Sequence, residues 1–89
     1  MARFELLDID CASLAAGPNA ADTFFDLGMT YSIGRDVPVD LVTAHKWFNI
    51  AAMRGKSEAV RLRREIADQM SAAEIAEAQR AARAWLHVS

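Results

Sequence analysis

Apolar residues recur along this chain with the period of a helix. Ile75, Ala78, Ala82 and Trp85 stand at i, i+3, i+7 and i+10, so a helix over about 72–86 shows the core one stripe. Phe25, Met29 and Ile33 form a row at i, i+4 and i+8. Beside it runs a second set, Phe24, Leu27, Gly28 and Tyr31, and together they predict a helix over about 20–33. Residues 3–16 hold Phe4, Leu6, Leu7, Ile9, Leu14, Ala15 and Ala16 at a poorer period, which predicts a short partial helix stopped by Gly17-Pro18-Asn19. Pro38 forbids helix at Val37, and Asp40 offers a carboxylate to the first orphan N–H groups of a third helix, running through Ala52 to about Arg54. Gly55 suits the residue just past that helix. Ser57 is expected to cap a fourth, over about 58–69, and Ser71-Ala72-Ala73-Glu74 reads as a capping box opening a fifth. No segment alternates as a strand would, so the expected class is all-α, built from antiparallel helical hairpins.

Small, aromatic and turn residues repeat at spacings that suit two helices packed almost touching. Gly28 has no side chain, so a facing helix can come close, with Ala44 and Ala51 serving that approach from the other side. Tyr31 and Trp47 fill larger gaps and need a polar partner for their O–H and N–H groups. Gly34 and Gly55 let the chain reverse.

The run Leu27-Gly28-x-x-Tyr31-x-x-Gly34, then Val37-x-x-Asp40, Ala44-x-x-Trp47, Ala51-Ala52 and Gly55-x-x-x-Ala59, resembles the motif of the Sel-one-like repeat family, a branch of the tetratricopeptide-like helical repeats. The resemblance covers about 21–59. It departs at Asp36, which replaces the second loop glycine of the motif, and Asp is among the residues that tolerate left-handed backbone. Outside that stretch the likeness thins. Leu14-Ala15-Ala16-Gly17 is similar to the tail of an earlier repeat, while Arg63-Arg64 stand where Leu-Gly would be and Ala67 where Tyr would be. The stretch 70–80 is similar to the closing helix of small bacterial members.

The resemblance implies a short α–α solenoid in a single domain, 1–89. It would comprise a partial N-terminal helix (1–19), one full repeat (20–56) and a divergent closing helix pair (57–89), since an array needs more polar ends. It also implies a function. In related repeats the corresponding face of the first helix lines a peptide-binding groove. Phe25, Met29 and Ile33 would then supply apolar contact, with Asp22, Asp26 and Ser32 setting polarity at the edge. The same row is open to a plainer reading, in which Phe4, Leu7 and Ile9, or Leu62 and Ile66, cover it.

Composition narrows the remaining classes. Eighty-nine residues make one small domain, and a chain this short buries only about 60–65% of its unfolded surface. With 53% hydrophobic and 25% charged residues it is ordinary for a globular protein and wrong for a disordered one. The net charge of −2 hides a gradient: seven acids and two bases over 1–42 give −5, and eight bases and five acids over 43–89 give +3. Arg61, Arg63 and Arg64 share a helix with Glu58, Glu65 and Asp68, which argues against nucleic acid. Cys11 is the only cysteine, so no internal disulfide forms. Acids at Glu5, Asp8 and Asp10 interrupt any signal-like start, and no long apolar run exists, so a cytoplasmic protein without membrane contact is expected.

Catalytic chemistry needs converging groups, and the sequence offers none. His45 and His87 are far apart, and His45 is expected to shield core or meet solvent rather than act as a base. Two histidines and one cysteine have no metal-ligand spacing. Gly34 is followed by Arg35-Asp36, not by a phosphate-cradling loop, and Ser13, Ser32, Ser57 and Ser71 have no nucleophile context. The expected function is a non-catalytic protein–protein interaction module that binds a peptide or helix of a partner, without cofactor or metal. The alternatives are a structural, homo-oligomerising protein and a small regulatory or inhibitory subunit of an enzyme, with the acidic half as bait.

Overall fold

A computed structural model describes residues 20–88 as four helices, with no strand among them: α1 (Ala20–Ile33), α2 (Leu41–Met53), α3 (Ser57–Ala67) and α4 (Ala72–Val88). The expected partial helix within 1–19, with Phe4, Leu7, Ile9 and Cys11, lies outside the described residues.

The turns are set by local chemistry. At the end of α1, Gly34 N–H and Arg35 N–H both donate to the Thr30 carbonyl at 3.0 Å. Gly34 takes φ +77°, and a Cβ added there would lie 3.0 Å from Val39 Cγ2. Asp36 follows at φ 63°, so the residue that replaces the motif's second glycine carries left-handed backbone. Asp tolerates that region at a cost that glycine avoids. Asp36→Gly is therefore expected to raise stability by about 0.5–1 kcal/mol, against an opposing loss of unfolded-state restriction. A lower urea midpoint in the variant would show that the Asp36 side chain itself holds the turn.

Asp40 caps α2 as expected. Its Oδ1 accepts from Thr43 N–H at 3.1 Å, and its Oδ2 accepts from the Thr43 hydroxyl at 2.7 Å. Its own N–H donates to the Tyr31 carbonyl at 2.9 Å, tying the loop back to α1. At the other end of α2, Lys56 N–H donates to Ala51 O at 3.0 Å and Gly55 N–H to Ala52 O at 3.1 Å, with Gly55 at φ +100°. These paired bonds around a left-handed glycine are the Schellman closure, which satisfies two orphan carbonyls.

The next helix departs from expectation. α3 starts at Ser57, so Ser57 is the first helical residue and not the cap. Lys56 occupies the cap position with no side-chain bond to the helix, because an ammonium cannot accept from N–H. α3 also stops at Ala67, two residues early, where Gln69 N–H donates to Ile66 O at 2.9 Å and Met70 N–H to Ala67 O at 3.0 Å in tightened turns. The capping box then opens α4 in both directions: Ser71 N–H donates to Glu74 Oε1 at 2.8 Å, and Glu74 N–H to Ser71 Oγ at 3.1 Å.

α2 is the central element: α1, α3 and α4 each pack closely on it. It can serve three neighbours because it is buried on several sides, through Ala44, His45, Trp47, Phe48, Ile50 and Ala51. Ala44, Ala51 and Ala59 of α3 are fully buried, and such small side chains let helices come near. The close approach at Gly28 differs from the expected one. The missing side chain receives the ring of Phe48, not a neighbouring backbone; a Cβ at Gly28 would lie 2.5 Å from two of that ring's carbons. Phe48 is itself completely buried and meets Phe25 at 5.7 Å between ring centres.

A second aromatic group binds α4 into the fold. Phe24 of α1 stacks on Trp47 of α2 at 5.7 Å, and both meet Trp85 of α4 edge-on, at 5.1 and 5.6 Å. Stacked and edge-to-face pairs contribute roughly 0.5–1.5 kcal/mol each beyond the area they bury. This triangle joins the first turns of α1 to the last turns of α4 across the middle of α2.

Candidate functional site

The outer row of α1 is graded. Phe25 and Met29 are half-buried and pack against the core, whereas Ile33 is 56% exposed. The closed end owes its cover to Lys56. Its ammonium sits 5.1 Å from the centre of the Phe25 ring, 2.8 Å from Asp22 Oδ1 and 3.5 Å from Glu58 Oε1. The hydrogen bond to Asp22 is the main reason its pKa is raised. Asp22 is therefore engaged within the chain and pins the start of α1 to the start of α3.

The other edge residues are placed differently. The Asp26 carboxylate is exposed, while its backbone carbonyl accepts from the Thr30 hydroxyl at 2.9 Å. The Ser32 hydroxyl donates to the Met29 carbonyl at 3.1 Å, so it serves its own helix. Val39, 58% exposed, reaches toward Gly34, the residue that follows Ile33, and adds a second exposed apolar side chain to the turn between α1 and α2. Val39 stands alone between Pro38 and the Asp40 cap, outside any periodic segment, so spacing along the chain carries no signal for it. Leu62 and Ile66, the candidates for covering the row, lie on α3, whose close seam is with α2.

The outer side of α3 is polar and bears charges of both signs. Arg61 Nη1 pairs with Glu65 Oε2 at 2.9 Å on the exposed side of α3. An exposed pair one helical turn apart contributes only about 0.3–0.5 kcal/mol, so it shapes the surface more than it holds the fold.

A second polar feature lies between α2 and α3. His45 is buried, with 3% of its surface exposed, and its Nδ1 has no hydrogen-bond partner among the described residues. One turn further along α2, Asn49 Oδ1 accepts from Arg63 Nη1 of α3 at 2.6 Å. Burial pushes the His45 pKa down, the nearby Arg63 charge pushes it the same way, and a weaker contact with its own backbone opposes them. Its imidazole is thus held neutral near pH 7. The expectation that His45 shields core or meets solvent resolves to the first alternative. His87 is exposed on α4.

Among the described residues, no group of three or more His, Cys, Asp or Glu side chains is placed to hold a metal ion, and no helix is long and apolar enough to cross a membrane. No protein-family model, curated protein or solved structure matches the chain.

Proposed function

We propose that the chain is a non-catalytic protein–protein interaction module, with residues 20–56 forming one repeat of the Sel-one-like class and 57–89 closing it. The observation that carries this reading is the α1–α2 hairpin. Phe48 seated against Gly28 locks two helices into a rigid pair, and the pair leaves Ile33 and Val39 projecting from its tip. A rigid scaffold with apolar side chains at one edge lowers the ordering cost of binding. The row read from the sequence is narrowed accordingly. Ile33 makes the outer contact, Met29 and Phe25 form its floor, and Asp26 supplies an exposed charge at the rim.

The test compares affinity capture by wild type, Ile33→Asp and Asp26→Lys, followed by titration with the purified partner. Both positions are exposed, so the variants are expected to fold. Ile33→Asp should weaken binding about tenfold or more, as removal of a central apolar anchor does. Equal affinity in folded variants overturns the assignment of this surface. Light scattering at several concentrations separates a foreign partner from self-association, since a concentration-dependent mass lost in Ile33→Asp would mark a homo-oligomer.

A further inference from the structure

The interaction reading leaves His45 unused, and its surroundings are unusual. A buried neutral imidazole with an unpartnered nitrogen is tolerable; a buried imidazolium there is not. Protonation would create an N–H donor with no acceptor in a site that excludes water. It would also set a second cation beside the guanidinium of Arg63, which the Asn49 bond holds in the same seam. The acids on the packed elements bring no relief. Asp22 and Asp26 of α1, Asp40 at the cap of α2, Glu58, Glu65 and the capping Asp68 of α3, and Glu74 and Glu77 of α4 are all exposed, and none exerts a compensating attraction on the ring.

We propose that the seam between α2 and α3 is an acid-sensitive latch: His45 holds α3 against α2 only while its ring is neutral, and protonation drives α3 away. The element is suited to separate release. Among the described residues α3 makes its extensive packing with α2, and the Lys56–Asp22 surface pair at its start is a weak tie to α1, while the aromatic triangle of Phe24, Trp47 and Trp85 joins α1, α2 and α4 without it. The latch does not depend on which molecule the hairpin binds.

The direction follows from linkage. The folded-state pKa lies below the ordinary value of 6.5, so the released state binds the proton more readily. The seam therefore has its full strength above about pH 6.5 and loses it as pH falls from there toward the folded-state value. In that window the released population grows up to about tenfold per pH unit.

The experiment is amide hydrogen exchange, corrected for intrinsic rate, between pH 7.5 and 5.5, with the His45 ring resonances followed in parallel. In the wild type, protection across α3 should fall by up to about tenfold per unit below 6.5 while α1 amides hold. In His45→Gln the α3 protection should be flat over the same range, and in Arg63→Gln the His45 resonance should titrate at a higher pH than in the wild type. Three results overturn the latch. One is a His45 ring that titrates at or above 6.5 while α3 stays protected. Another is equal loss of protection in α1 and α3. The third is an unchanged pH response in His45→Gln; if that variant does not fold, the wild-type ring titration and exchange pattern decide alone.

Discussion

Phe48→Ala should destabilise the protein by about 3–5 kcal/mol, the range for deleting a buried aromatic ring that leaves a cavity. The whole stability of a domain this size is only about 4–13 kcal/mol, so the variant sits near the folding threshold. The site cannot collapse easily, because one wall is the backbone of α1 at Gly28 and another is the Phe25 ring. Urea unfolding followed by helical circular dichroism gives the number. A loss below about 1.5 kcal/mol would mean that the ring is not the wedge between α1 and α2. Gly28→Ala probes the same contact from the other side. Its added methyl favours the helix by about 1 kcal/mol but meets the ring at 2.5 Å, and overpacking costs roughly 1–3 kcal/mol. Because both changes act on one contact, Gly28→Ala combined with Phe48→Leu should cost less than the sum of the single variants.

Trp85→Ala should cost about 3 kcal/mol, at the lower end of the aromatic range because this ring is half-buried. It removes both edge-on contacts and leaves Phe24 and Trp47 with one face uncovered. The loss should appear as a collapse of the near-ultraviolet dichroism of the coupled tryptophans. Helical signal from α1 and α2 should survive at low temperature. A variant with wild-type stability would show that α4 is held by its alanine stripe and not by the aromatic triangle.

Much of this architecture could be read from particular residues. Asp40 and the Ser71/Glu74 pair announced helix starts because a side-chain oxygen at the right offset can satisfy N–H groups that no other atom reaches. Gly34 and Gly55 announced ends for the converse reason, since both take positive φ. Ser57 misled, because a hydroxyl at the right spacing looks like a cap whether or not the preceding turn leaves it outside the helix. The contents of the core were less legible. Ala44, Trp47 and Ala51 are motif positions, whereas Phe48 and Ile50, both fully buried, are not. Phe48 falls on the same stripe at i+4 from Ala44, and that spacing was the available signal. Ile50 lies off the stripe. It is buried because α2 has neighbours on more than one side, and the periodicity of one helix cannot express that. The candidate surface was legible as a row but not as a gradient. Lys56 closes the Phe25 end from another helix, and a pairing with Asp22 across the fold leaves no trace in local spacing.

The aromatic triangle also says something about chain length. Phe24 and Trp85 are 61 positions apart, against 23 for Phe25 and Phe48. Loop-closure entropy grows only with the logarithm of separation, so joining the distant pair costs about 1 kcal/mol more than joining the near one. A single buried ring outweighs that difference. Sequence distance is thus a minor opponent of this topology, and extra residues inserted in the turn before Ser71 would be expected to change its free energy by only about a few tenths of a kcal/mol.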